Sequence, residues 1–270
     1  NGTFGDYKRK LKTRTRSLLI PYIFFLLCGS CIMFIIDGVY TLGSFCGIIK
    51  HGIMYYPPIF YPLWYLRDLY VMVLFSPLVY LMIKKMPILL FLPFLLWVFD
   101  KEPFVFPLNE AMFFFPLGAF FSKYTNRLEK TNHKSVWIYF CLWFLSCFFY
   151  DYMKENGLNP PYISHCAIIL LGIYSLWILY DKLYPRFSER VKTANIYKYS
   201  FFLYLLHEPI LTIIKKTGLY LLGQASWSIV VIYLLAPIMT ICIVYAIGRG
   251  MNRYTPRLLM FITGGRTKRT

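Results

Sequence analysis

Charge, and negative charge above all, is what this sequence has least of. Only 15% of its 270 residues are charged, and Asp and Glu together number 12. An ordinary soluble domain is about one-quarter charged. No stretch of about 100 residues has the mixed polarity that a separate soluble domain needs, and neither a repeat nor a low-complexity segment occurs. Cysteine is present seven times (28, 31, 46, 141, 147, 166, 242), mostly inside apolar runs. The Cys28–Cys31 spacing lacks a second pair and a nearby His, so no metal is expected. The thiols read instead as small buried hydrophobes. What the chain does have is apolar bulk, at 58% hydrophobic and 20% aromatic, with 29 Lys and Arg and a net charge of +17. That bulk excludes a disordered tail. Aromatic residues packed into apolar runs are not a phosphate-reading surface, so no nucleic acid partner is expected. A membrane protein with basic loops satisfies both facts.

A bilayer-crossing helix needs about 20 apolar residues. Eight runs approach this: residues 18–36, 62–83, 86–99, 104–121, 136–150, 162–180, 197–214 and 227–248. The expected fold is all-α, a polytopic transmembrane bundle of about eight helices forming one domain over residues 1–270. Internal prolines (77, 93, 116, 209, 237) are tolerated in such helices, because neighbours satisfy the freed carbonyls. The segment before the first run, the tail and every second loop hold 23 of the 29 basic residues, the other loops hold five, and Arg67 lies inside a run. This asymmetry places both ends of the chain in the cytoplasm. The chain opens on Asn1-Gly2-Thr3 without Met or a signal peptide, which suggests a piece of a longer protein. The sequon there is read as accidental.

Ionisable residues inside apolar runs are costly and therefore functional candidates. They are Arg67 and Asp68, Glu110, and the pair His207 and Glu208. A rise of 1.5 Å per residue puts Arg67, Glu110 and His207 about 8, 9 and 10 Å below the outer ends of their runs. A polar cavity open to the outside and a set of structural ion pairs, Arg67 with Glu110 among them, both fit this pattern. Trp64, Arg67 and Asp68 share one helix face, as do Ser200, Tyr204 and His207, with Glu208 turned away. Trp64 offers a wall for a sugar ring or an acyl chain, or an interfacial belt residue. His207 suits proton transfer, or helix packing. The remaining histidines are given no role. Residues 37–61 form the longest outer loop, rich in Gly, Tyr and Pro, as lids often are. The basic cluster before residue 18 suits anionic lipid headgroups or the phosphates of a nucleotide-bearing donor.

Three stretches carry a family resemblance. Residues 8–21, with Tyr22, are a basic segment running into Leu-Leu-x-Pro-Tyr. Residues 62–77 contain Leu63-Trp64-Tyr65-Leu66-Arg67-Asp68-Leu69. Residues 200–209 read Ser-Phe-Phe-Leu-Tyr-Leu-Leu-His-Glu-Pro, and residues 115–118 add a helix ending in Leu-Gly. In this order they resemble the acyltransferase-3 family of integral membrane acyltransferases, which commonly O-acetylate bacterial surface polysaccharides. The resemblance implies acyl transfer from a CoA thioester, typically acetyl-CoA, to a sugar hydroxyl of a glycan, in the bacterial cytoplasmic membrane. Carried over by position, it assigns Arg67, Asp68, His207 and Glu208 to catalysis. It places Trp64 and Tyr204 at the acceptor and Arg14 and Arg16 at the donor phosphates; Glu110, singled out by its depth, is expected to bind the acceptor too. The family's first helix usually holds an Arg and a principal catalytic His, and neither is found before Leu18. Two N-terminal helices are therefore expected to be missing. The rival functions are a transporter or flippase for a lipid-linked glycan and a non-catalytic membrane subunit. The first is weakened by the lack of the internal symmetry that transporters show.

Overall fold

The protein, described by a computed structural model, is resolved here over residues 4–38, 41–55, 57, 59–101, 109–124, 135–193, 195–223 and 225–266. Asn1-Gly2-Thr3, residues 104–108 of the fourth apolar run and the basic loop 125–134 lie outside the described residues, as do the side chains of residues 185–193. The helices in chain order are α1 (Phe4–Arg14), α2 (Ile20–Asp37), α3 (Leu42–Met54), α4 (Trp64–Leu74), α5 (Ser76–Lys85), α6 (Phe91–Val98), α7 (Asn109–Tyr124), α8 (Val136–Glu155), α9 (Tyr162–Thr193), α10 (Ser200–Leu222), α11 (Ser226–Tyr254) and α12 (Pro256–Ile262). Among the described residues there is no strand.

The chain divides into two compact units: Asn1–Phe75 with Val105–Pro107 and Asn195–Thr270, and Ser76–Phe104 with Leu108–Ala194. In the first unit, α1 and α2 are joined without interruption by a π-helical turn, Thr15–Leu19. Pro21 is the physical cause, since its missing N–H and its ring both act on the carbonyl of Ser17, four residues back. The core is built by Leu18, Tyr22, Phe25 and Leu26, by Phe60, Leu63 and Leu66 at the start of α4, and by Phe202 and Leu205 of α10. Val244, Leu259 and Ile262 close it from α11 and α12. Small residues bring α10 and α11 together. Ser228, Ala236, Thr240 and Gly248 recur along one buried stripe of α11. A Cβ on Gly248 would stand 2.8 Å from the Tyr199 ring, and one on Gly218 would stand 3.0 Å from Ile232.

Residues 37–61, expected as loop, contain α3. Thr41 caps it by accepting from the Ser44 amide at 3.1 Å, and Phe45 meets Phe34 of α2 edge-on at 5.4 Å. Leu42, Phe45, Cys46 and Ile49 have helical spacing that the glycines at 43, 47 and 52 disguise, because glycine weakens a helix reading.

In the second unit, Trp97 of α6 is wholly buried, stacks on Phe113 of α7 at 5.2 Å, and its carbonyl faces the Cys166 thiol of α9. The Trp143 indole of α8 packs close on α9 because residue 172 is glycine; a Cβ there would sit 2.5 Å from the indole nitrogen. The outward faces of α8 and α11 expose Trp137, Phe144, Phe148, Trp227, Tyr233 and Leu234. A helix that is apolar on nearly every side is one surrounded by lipid.

Four described helical stretches are long and apolar enough to cross a membrane: Gly5–Ile36, Val136–Glu155, Tyr162–Tyr184 and Ser226–Tyr254; α4 with its leading turn and α5 make a fifth if counted as one span. Eight were expected. The run 62–83 is interrupted at Phe75, which takes φ −82° and ψ 1° between α4 and α5, because Pro77 has no N–H for the Val73 carbonyl four residues back and its ring presses on that carbonyl. The run 86–99 is a 3₁₀ turn, Pro87–Leu90, and an eight-residue α6. The fourth run begins as helix only at Asn109, which leaves 16 residues. α10 has 23 residues, but every 18-residue stretch of it includes Glu208, Lys215 and Lys216. Both lysines were assigned to a loop and lie in the helix. The thiols also differ from expectation: Cys166 alone is buried, while Cys31, Cys46, Cys141 and Cys242 are exposed on helix faces. A lipid-facing thiol is still an apolar surface.

Candidate functional site

The first cluster begins with the turn Tyr61–Leu63, where Pro62 starts α4 with a preset φ. Leu63 and Leu66 face the core, and the same face carries Arg67 and Asp68 inward, at 6% and 0% exposure. The Arg67 Nε donates to Asp68 Oδ1 at 2.8 Å. Its Nη1 donates to the carbonyls of Ile53 at 2.7 Å and Tyr55 at 2.8 Å. Tyr22 of α2 donates to the Gly52 carbonyl at 3.4 Å. These carbonyls are the unpaired acceptors at the C-terminus of α3, where the helix dipole favours a cation. Arg67 therefore caps α3 and clamps residues 42–55 to α4. Ile59, on the way from α3 to α4, takes φ +65°. A β-branched residue rarely adopts this conformation, which stores about 1–3 kcal/mol of strain. Trp64, one turn before Arg67, is half-buried and meets Tyr65 edge-on at 6.1 Å.

The second cluster lies on α10, which a 3₁₀ turn, Asn195–Tyr199, leads into. Phe202 and Leu205 point to the core, which turns Ser200, Tyr204 and His207 to another side. The Tyr204 hydroxyl donates to the Pro62 carbonyl, and its ring contacts Tyr65 at 6.4 Å and His207 at 6.1 Å. His207 Nδ1 lies 2.8 Å from the Tyr204 carbonyl. A carbonyl only accepts, so Nδ1 carries the proton, and Nε2 of the neutral ring is the basic nitrogen. Glu208 is half-buried and accepts from the Thr212 hydroxyl at 3.3 Å. Ser200, Leu203, Tyr204, His207 and Leu211 line one wall of a groove of about 330 Å³, and Pro237, Thr240 and Ile241 of α11 line the other.

The remaining candidates sit elsewhere. Arg14 ends α1 and Arg16 lies in the π-helical turn, both exposed. Glu110 belongs to the second unit. It stands in the first turn of α7, a favourable place for a carboxylate, behind Asn109, whose Nδ2 donates to the Lys101 carbonyl at 3.0 Å. Sequence reasoning missed Tyr22 and the end of α3 as partners of the Arg67 region. The Thr41-x-x-Ser44 start of α3 was the available signal. Among the described residues no group of three His, Cys, Asp or Glu side chains could hold a metal.

Membrane-length apolar helices, together with a sealed Arg–Asp pair on the short α4 and a half-buried histidine lining a groove on α10, define a helical membrane protein that carries polar clusters. A family model described as an acyltransferase domain, acyltransferase-3, matches residues 2–249. The chain belongs to the acyltransferase-3 family. It is similar to the succinoglycan biosynthesis protein ExoH of Rhizobium meliloti (strain 1021), at 24% identity over 284 residues, covering 97% of this chain and 74% of that protein. No solved structure matches it.

Proposed function

We propose that this protein transfers an acyl group, acetyl in the first instance, from acyl-CoA to a hydroxyl of an extracellular polysaccharide. The family supports acyl transfer, and the printed role of ExoH in succinoglycan biosynthesis supports a polysaccharide acceptor. The observation that carries the reading is His207, which lines the groove and is held through Nδ1, so that Nε2 is its basic nitrogen.

The chemistry follows from that nitrogen. A sugar hydroxyl attacks the thioester carbonyl, the C–O bond forms and the C–S bond breaks. In this reading Nε2 of His207, rather than the N-terminal His that the family resemblance implies, takes the hydroxyl proton and returns it to the leaving thiolate. Glu208, one residue on and tied to the Thr212 hydroxyl, is the carboxylate next in sequence to the reacting ring. Tyr204 orients His207 and, with Trp64, forms the apolar side of the acceptor site. Arg67 and Asp68, sealed against the end of α3, hold residues 42–55 in place and act through the fold rather than on the reacting atoms. Arg14 and Arg16 bind the donor phosphates on the cytoplasmic side of a bacterial inner membrane. This assignment follows the positive-inside asymmetry.

The test is transfer of label from [¹⁴C]acetyl-CoA to glycan in membranes holding the full-length protein. Ester-linked label on the glycan that disappears in His207→Gln is the expected result. Label absent from the glycan in well-folded wild type sinks the reading.

A further inference from the structure

The chain after α12 turns sharply back on itself. Gly264 and Gly265 adopt φ +62° and +83°, and their amides bond to the carbonyls of Phe261 and Met260 at 3.1 and 2.7 Å. Left-handed φ at two successive positions is glycine's province. The turn is also pressed against the π-helical turn before α2. A Cβ on Gly264 would lie 2.5 Å from Ser17 Cα and 2.6 Å from the Arg16 carbonyl, and one on Gly265 would lie 3.8 Å from Arg16 Nε. The next residue, Arg266, lays its guanidinium over the Phe201 ring of α10, with Cζ 3.6 Å from the ring centroid.

Arg16 thus lies against the turn that carries Arg266, Arg14 acts on Arg266 by its charge, and among the described residues none of the three has a carboxylate partner. Burial first, and the positive charge of Arg14 second, hold the Arg266 guanidinium below its ordinary value. Like charges brought together without a counter-charge are unfavourable until an anion arrives. Stacking on Phe201 uses the face of the guanidinium and leaves its edge donors for a planar, bidentate contact, which suits a phosphate. The Phe201 ring in turn lies nearly parallel to Tyr204, 16° and 6.1 Å away. Tyr204 holds His207.

We propose that Arg266, seated by the Gly264–Gly265 turn, is the third guanidinium of a phosphate-ester site that it forms with Arg14 and Arg16. Naming the ligand as the nucleotide end of the acyl donor rests on the function proposed above; the site itself does not. Arg266 lies beyond the matched family region, which ends at residue 249. It acts as a positioning residue: it anchors the donor at one end of α10 while the thioester reaches toward His207.

The full chain in phosphatidylcholine nanodiscs is titrated calorimetrically with CoA, and then again with phosphatidylglycerol added to the discs. The Kd for CoA is expected to rise about tenfold in Arg266→Gln, the loss of one charge-assisted contact. Arg266→Lys is expected to recover part of it. Gly264→Ala, which unseats the tail, is expected to match Arg266→Gln, and each variant must remain monodisperse. If CoA does not bind wild type but phosphatidylglycerol is retained in an Arg266-dependent way, the phosphate site stands, its ligand is a lipid headgroup, and the donor assignment of Arg14 and Arg16 falls. If neither ligand responds to Arg266→Gln, the proposal is overturned.

Discussion

Arg67–Asp68 and His207–Glu208 were drawn from the sequence by the same rule, yet they are built on opposite terms. The first pair is sealed: exposure is 6% and 0%, and the guanidinium is spent on a carboxylate and two helix-end carbonyls. The second is half-buried, with one ring nitrogen bonded to a backbone carbonyl and the residue lining a groove. A buried charge with good partners adds little net stability but is costly to break. A partly satisfied group is available for chemistry. The difference separates a residue that holds the site together from one that reacts in it, although both are ionisable groups in apolar helices.

The sharpest way to break the comparison is Arg67→Ala. It leaves the Asp68 carboxylate buried without its partner and frees the end of α3, a loss of about 3–5 kcal/mol. Thermal unfolding of the purified protein in detergent should show it as a large fall in Tm. The double change Arg67→Ala with Asp68→Asn should recover part of the fall. Lysine should not restore it, because one ammonium cannot reproduce the fork to Asp68 and the two carbonyls. Loss of transfer at an unchanged Tm would move Arg67 into the chemistry and dissolve the distinction. His207→Gln is expected to behave in reverse. Transfer should fall by about 10²–10⁴-fold, with stability within about 0.5 kcal/mol of wild type. Wild-type turnover would remove His207 from the reaction.

Tyr204→Phe tests the tie between the two clusters. It removes the donor to the Pro62 carbonyl, for about 1–3 kcal/mol if no water replaces it. Because the ring contacts with Tyr65, Phe201 and His207 survive, transfer should fall less than in His207→Gln. Equal losses in the two variants would mean that the hydroxyl itself meets the acceptor.

These contrasts also show what a sequence can carry. The apolar runs at 18–36, 136–150, 162–180 and 227–248 were legible because long helices in lipid need only length and apolarity, and each lies within a described helix. The break at Phe75 was not, although Pro77 stood in view, because membrane helices often absorb a proline. α10 was read as ending at 214, yet it runs to Leu222, since nothing in Lys215-Lys216 stops a helix. Arg67, Asp68 and His207 were legible as costly residues in apolar surroundings. Their partners were not: backbone carbonyls carry no letter in the sequence, and Arg67 is held by those of Ile53 and Tyr55, His207 by that of Tyr204. The bonds that decide whether a charged group is structural or reactive are therefore the ones a sequence hides.

The smallest effect probes the far end of the segment that Arg67 secures. Thr41→Ala deletes the N-cap of α3. The cap is exposed, so the loss should be near the low end of its range, about 0.5–1 kcal/mol. Its distribution is more informative than its size. If Arg67 and Tyr22 hold the C-terminal carbonyls of α3 independently, hydrogen exchange should quicken in residues 42–47 and stay slow near residues 52–55, with transfer nearly intact. Faster exchange throughout residues 42–55, with a parallel loss of transfer, would show that α3 opens as one cooperative unit. Arg67 would then clamp an element whose integrity the reaction requires, and the sealed pair would govern activity through α3.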